Sequence, residues 1–275
     1  MHLICLCPTF GRPSLVANAV ALFERQSLRA GDTAHLLIFD DSGCLAAQSH
    51  YQRDRSWLVM ESHTWRPLCE KYQPMIAANA CHVGSTDAAF VVWDDDDFYA
   101  PWHLAAHATA LESRPWSHPS IAHSTYQVDV LAGELPREQR LNARHYHGAL
   151  AIRGDLMQTL RGWPITERSD FDKQIMANCW SEAGAPADPC ATYSPSYVYR
   201  WRDTGHDHNS ARIREGRCQP PRIEEPGRVE QLAPRLDAVS LALTSVLFGQ
   251  QRHPTNIAGI GENQTGTGFR GWPAL

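Results

Sequence analysis

The run Ala88-Ala89-Phe90-Val91-Val92-Trp93 leads without a break into Asp94-Asp95-Asp96-Asp97. Consecutive apolar residues leave no polar face for water, so the segment suits a strand buried on both sides, as in the centre of a parallel sheet covered by helices. Four adjacent carboxylates repel one another, and burying any of them without a partner is prohibitive. The chain therefore passes here from a core to a place that must supply positive charge. Carboxylate oxygens suit hard divalent ions such as Mg²⁺ or Mn²⁺, which commonly bridge a protein carboxylate and a substrate diphosphate. The carboxyl end of a strand is also where open α/β folds bind ligands. The plainer alternative is a solvated acidic loop in which Asp97 caps the next helix.

Around this run, short apolar stretches alternate with amphipathic ones in the order expected of βαβ units. Strands are predicted over 3–7, 35–39, 57–60 and 88–93, and helices over 13–27, 68–82 and from Pro101 to about residue 112. Pro13 is a favoured first-turn residue, and Val16, Val20 and Phe23 follow at helical spacing. Farther on, strands are predicted over 121–130, 147–152 and 193–201, and helices over 153–161, 170–183 and 234–248, the last with Leu236, Val239, Leu243 and Val246 on one face. Residues 203–231 are polar, and the last 27 residues hold six glycines, a composition that suits a loop or tail.

The chain has 275 residues, 43% hydrophobic and 20% charged, enough to bury a full core. A net charge of −5 argues against holding nucleic acid on a broad basic surface. A local basic groove stays open, because six arginines against three acids fall within residues 200–222. The amino-terminal apolar run is too short, and too soon followed by proline, for a signal peptide, and no stretch approaches the roughly 20 apolar residues of a membrane span. The eight cysteines form no C-x-x-C pair, so neither a zinc ribbon nor a dithiol motif is expected. Reduced cysteines and a cytoplasmic location, bacterial or in the host of a phage, are the expectation.

Three strand ends carry a common pattern. The first runs into Pro8-Thr9-Phe10-Gly11-Arg12-Pro13, the second into Asp40-Asp41-Ser42-Gly43, and the third into Asp94 to Asp97 with Pro101 and Leu104 behind it. In this order and spacing the chain resembles the family 2 glycosyltransferases of GT-A fold over roughly residues 2–210. The resemblance implies a Rossmann-like three-layer α/β/α sandwich with a mixed, mainly parallel sheet. It divides the chain into a nucleotide-sugar-binding half (1–112), an acceptor-binding and catalytic-base half of the same domain (113–231), and a carboxyl-terminal helix and glycine-rich tail (232–275).

It implies further a nucleotide-sugar donor, a UDP-sugar first, lying against Pro8, Thr9, Arg12, Asp40, Asp41, Lys71, Asp94 and Asp95. Mn²⁺ or Mg²⁺ would be held by Asp96 and Asp94, with His208 of the Gly205-His206-Asp207-His208-Asn209-Ser210 turn, or His206 in its place. The family's acidic pair after a glycine turn matches Gly162-Trp163 through Asp170, with Ser169 where glutamate is usual. That makes Asp170 the expected base for an inverting transfer, with Asp172 and Glu167 in reserve. His145, Tyr146 and His147 precede a strand that lines the acceptor pocket in the family, and Trp102 and Trp163 are candidates for stacking on a sugar or base. The acceptor is a glycan, a protein, or a hydroxymethylated base in DNA of the kind found in some bacteriophages, which would have to be flipped out of the duplex. A nucleotidyltransferase and a non-catalytic nucleotide-sugar-binding module are the competing readings.

Overall fold

A computed structural model describes residues 1–45, 56–60, 68–141, 147–165, 171–200 and 226–250. In chain order the elements are β1 (His2–Thr9), α1 (Pro13–Glu24), β2 (Thr33–Asp40), β3 (Ser56–Met60), α2 (Leu68–Ala77), β4 (Ala88–Val92), β5 (Phe98–Tyr99), α3 (His103–Ala110), β6 (Trp116–Ser117), β7 (Ile121–Ser124), β8 (Arg137–Arg140), β9 (Ala151–Arg153), α4 (Gly154–Thr159), α5 (Phe171–Ala183), β10 (Tyr197–Tyr199) and α6 (Pro226–Gln250).

Six strands form the main sheet in the order β3-β2-β1-β4-β9-β6. The first four are parallel, while β9 runs antiparallel to both β4 and β6. Alternate residues of the central strands feed two different cores, as the strand period of two requires. Leu3, Cys5, Cys7, Leu36, Ile38, Val91 and Trp93 pack with Val16, Val20 and Phe23 of α1 and with Val239 and Leu243 of α6. Ile4, Leu6, Leu37, Phe39, Phe90 and Val92 pack with Tyr72 and Met75 of α2 and with Met157, Trp163 and Ile175 of the opposite layer. The result is the three-layer α/β/α arrangement expected from the sequence. All cysteines among the described residues are free thiols.

A second sheet, β5-β10-β7-β8, was not expected. β7 and β10 fall within the strands predicted over 121–130 and 193–201, but β5 has only two residues and β8 reads Arg-Glu-Gln-Arg and is largely exposed, so neither length nor apolar alternation announces those two. Several predicted boundaries move for local reasons. The strand predicted over 121–130 stops at Ser124; Gln127 takes a positive φ of 56°, and the Asp129 carboxylate accepts from the amides of Leu131 and Ala132 to start a 3-10 turn. The strand predicted over 147–152 is a 3-10 turn at His147–Ala149 followed by β9. The strand predicted over 193–201 shrinks to β10.

Helix α6 begins at Pro226, inside the segment expected to be polar loop, and continues through Pro234. Leu236, Val239 and Leu243 are buried as predicted, joined by Leu247, and the Ser240 hydroxyl donates to Asn18 Oδ1 of α1 at 2.9 Å. The Val246 side chain and the glycine-rich residues 251–275 lie outside the described residues.

Candidate functional site

The carboxyl ends of the parallel strands β2, β1 and β4 share one edge of the sheet, and Asp40, Thr9 and Asp94 stand there side by side. Asp40 is fully buried and organises the two loops beside it. Its Oδ1 accepts from the Gly11 amide at 3.2 Å and from the Ser42 hydroxyl at 2.7 Å, and its Oδ2 accepts from the Leu45 amide at 3.3 Å. Gly43 then takes a φ of 74°, a conformation that costs glycine little, so the order Ser-Gly after the two aspartates puts the hydroxyl on Asp40 and the glycine at the left-handed corner.

Lys71, buried on α2, donates to Asp41 Oδ1 at 2.6 Å and to the Thr9 carbonyl at 2.7 Å. Burial lowers its pKa while Asp41 works the other way. Arg12 reaches Asp95 Oδ1 at 2.6 Å and Asp96 Oδ2 at 3.0 Å, and the Thr9 hydroxyl donates to Asp95 Oδ2 at 2.6 Å. Burial opposes the Arg12 charge, but Asp95 and Asp96 outweigh it and raise its pKa. The two cations that sequence reasoning assigned to the nucleotide are thus both engaged with carboxylates of the same edge. Pro8 lies buried within β1, opposite Phe39 of β2.

The four aspartates divide into two kinds. Asp95 and Asp97 are 1% exposed and held by protein groups; Asp94 and Asp96 keep side-chain exposures of 15% and 18%. Asp97 does not cap α3, whose first turn has no side-chain cap; it accepts from the Tyr197 hydroxyl and from the Arg200 amide at 3.0 Å, both brought in by β10. The Asp94 amide donates to the Tyr99 hydroxyl at 2.7 Å, and that hydroxyl donates to the Gly148 carbonyl at 3.2 Å. Burial, followed by Asp96 and Asp95, pushes the pKa of Asp94 well above the carboxylate range. A divalent cation relieves this repulsion, and partly exposed carboxylate oxygens are its preferred donors. No set of three ligating side chains is gathered for a metal among the described residues. The residues present fit an ion of the Mg²⁺ or Mn²⁺ kind held by one or two carboxylates, with substrate phosphate and water in the remaining positions.

His147 Nε2 stands 3.7 Å from Asp94 Oδ2, and burial lowers the pKa of this histidine. Asp172, in the first turn of α5, lies close enough to raise the pKa of Asp94. Asp170, Glu167, His145, Tyr146, His206 and His208 lie outside the described residues, as does the arginine-rich segment beyond Arg200. Trp102 is buried, its indole N–H donating to the Ser194 carbonyl at 2.9 Å, and Trp163 is buried with one ring face covered by Tyr72. Neither offers an open ring face.

Tyr99, Tyr197 and Gly148 escaped sequence reasoning. A Cβ on Gly148 would lie 2.6 Å from Asp94 Oδ2 and 2.7 Å from the Tyr197 hydroxyl, so the glycine is what lets this turn approach the acids. The one legible signal was the aromatic run Tyr197-Val198-Tyr199, which gave a strand without its target.

No protein-family model and no curated protein matches the sequence. Solved structures do. TarS of S. aureus, residues 1–349 in complex with UDP-GlcNAc, superposes with a TM-score of 0.54 at 12% identity, over 90% of this chain and 73% of that one. The mannosyltransferase PcManGT of Pyrobaculum calidifontis, in complex with GDP-Man and Mn²⁺, gives 0.51 at 16% identity over 88% and 74%. The fold is that of the GT-A glycosyltransferases. Against a longer TarS structure this chain spans only 43% of its neighbour, at a TM-score of 0.52 and 13% identity. Among the described residues, no helix is long and apolar enough to cross a membrane.

Proposed function

We propose that the protein is an inverting, divalent-metal-dependent glycosyltransferase that moves a sugar from a nucleotide-diphosphate donor, a UDP-sugar first, to an acceptor hydroxyl. The observation that carries this reading is the partly exposed pair Asp94 and Asp96 at the carboxyl edge of a GT-A sheet, with Asp94 destabilised as a free carboxylate by its neighbours. Asp96 and Asp94 would hold the ion, with His208 as a further ligand, and when bound it supplies the positive charge that a leaving diphosphate needs. The donors named for two structural neighbours, UDP-GlcNAc and GDP-Man, belong to the same chemical class.

Thr9, Asp40 and Asp41 shape the edge where the nucleoside would rest, and Lys71 and Arg12 stiffen it through their carboxylate pairs. Asp170, immediately before α5, is the proposed base that takes the acceptor proton as the hydroxyl attacks the anomeric carbon. Asp172 is its reserve, supported by its electrostatic effect on Asp94. The acceptor is a soluble glycan or protein, or a hydroxymethylated base in phage DNA, and strong salt dependence would mark the last of these.

The test is thermal stabilisation by a panel of nucleotide-sugars with and without Mn²⁺ or Mg²⁺, followed by mass spectrometry of glycan, protein and hydroxymethylated-DNA acceptors. Stabilisation and transfer that both require the metal are expected, with Asp96→Ala losing them. Asp170→Asn should lose turnover while keeping donor binding. Wild-type protein that neither binds nor turns over any nucleotide-sugar in the presence of metal would overturn the proposal.

A further inference from the structure

Tyr72 on α2, His147 in the turn before β9 and Trp163 after α4 come from separate elements yet form one cluster. The Tyr72 ring stacks on Trp163 at 4.1 Å and 20°, and meets His147 edge-on at 6.3 Å. Gln73 Nε2, also on α2, donates to the Trp163 carbonyl at 2.5 Å and so ties α2 to the segment after α4. Each of the three side chains carries a buried polar atom, Tyr72 Oη, His147 Nε2 and Trp163 Nε1, that has no hydrogen-bond partner among the described residues. Such atoms are costly and uncommon in native interiors. The indole N–H groups of Trp93, Trp102 and Trp116 show the ordinary outcome, each donating to a backbone carbonyl at 3.2, 2.9 and 2.9 Å.

The position of the cluster is informative. His147 is 3.7 Å from Asp94, and Asp94 also acts on the Tyr72 hydroxyl. Along the sheet edge the order is Asp40 after β2, Thr9 after β1, Asp94 after β4 and then His147 before β9. A donor whose nucleoside lies at β2 and β1 and whose diphosphate lies at Asp94 and Asp96 carries its sugar onward to the β9 side. The hydrogen-bonding chemistry agrees. An indole N–H only donates, whereas a tyrosine hydroxyl and a neutral imidazole can each donate or accept a hydrogen bond; a sugar hydroxyl matches all three, while a phosphate oxygen matches only donors.

We propose that Tyr72, His147 and Trp163 are the specificity-determining wall that binds the hydroxyl groups of the transferred sugar, and that these buried polar atoms have no hydrogen-bond partner among the described residues because the sugar supplies it. This rests on the glycosyltransferase reading above. The experiment compares wild type, Tyr72→Phe and Trp163→Phe in Mn²⁺, measuring for each the affinity for the nucleoside diphosphate, the affinity for the matching nucleotide-sugar, and the melting temperature of the free protein.

Tyr72→Phe removes a hydroxyl that has no partner among the described residues, so the free variant should melt at or above the wild-type temperature. It should bind the nucleoside diphosphate unchanged and lose roughly tenfold of the sugar's added affinity, the loss expected for one hydrogen bond. Trp163→Phe also loses ring volume, so its readout is the affinity ratio and not the melting temperature. A ratio unchanged in both variants, or a wild type that gains nothing from the sugar, overturns the assignment while leaving the enzyme class intact. A wild type that binds neither nucleotide nor nucleotide-sugar with metal overturns both.

Discussion

Lys71 and Asp41 are a buried ion pair, and removing one partner of such a pair is far more harmful than never having had it. Lys71→Met should therefore cost about 3–5 kcal/mol in urea unfolding, and adding Asp41→Asn should recover a substantial part of that loss. Gly148 is sensitive for a steric reason. Gly148→Ala places a methyl group against Asp94 and against Tyr197 and Asp97, which are held to each other, and should cost about 1–3 kcal/mol with a loss of metal-dependent nucleotide binding, both measurable by thermal unfolding with and without Mn²⁺. At this scale the sequence was informative wherever chemistry is contiguous. Thr9, Asp40 and the aspartate run each sit at the end of an apolar strand and declare themselves. Tyr72, Gly148 and Tyr197 are ordinary residues until folding brings them to Asp94, and nothing in their own neighbourhoods says so.

At the scale of elements, the central strands were legible because being buried on both faces leaves a continuous apolar run, as in β1, β2 and β4. Of the small sheet, β7 and β10 were announced inside longer predicted strands, but β5 is too short to show a period and β8 is polar on both sides. These strands exist through pairing, not propensity. Helix α6 is the converse case, announced by its apolar spacing but longer than its polar beginning suggested. It covers α1, with Leu236 against Leu15 and Leu243 in the larger core. Leu243→Ala should cost about 2–5 kcal/mol, as for other fully buried leucines, while the neighbouring exposed Leu241→Ala should cost under about 0.5 kcal/mol; chemical denaturation of the two variants checks the docking of the helix.

For the whole molecule, buried histidines set the response to acid. Burial lowers the pKa of His35 to about 4 and that of His107 to about 3, and it lowers His103 as well. An unfolded histidine takes up its proton near pH 6.5, so between that value and the folded pKa the unfolded chain binds more protons and stability falls as pH falls. Each of these side chains can withdraw up to about 1.4 kcal/mol per pH unit in that window. Asp94 and Asp97, whose pKa values are raised by burial, offset part of the loss by taking up protons in the folded state. The urea midpoint should drop between pH 7 and pH 5, and a flat profile would show either that the imidazoles are not held neutral or that proton uptake by Asp94 and Asp97 cancels their effect.

The stretch from Trp93 to Tyr99 has one more role. Its first part leaves the main sheet, whose strand β4 ends at Val92, and its last part enters the small sheet, with Asp97 bound to Tyr197 and to the Arg200 amide. The acids are therefore a seam stitched between two sheets, and their mutual repulsion loosens that seam from within. Anything that neutralises them draws it tight, so occupancy of the site should be audible at a distance as slower amide hydrogen exchange along β7 and β10, strands in which no residue has been assigned to a ligand.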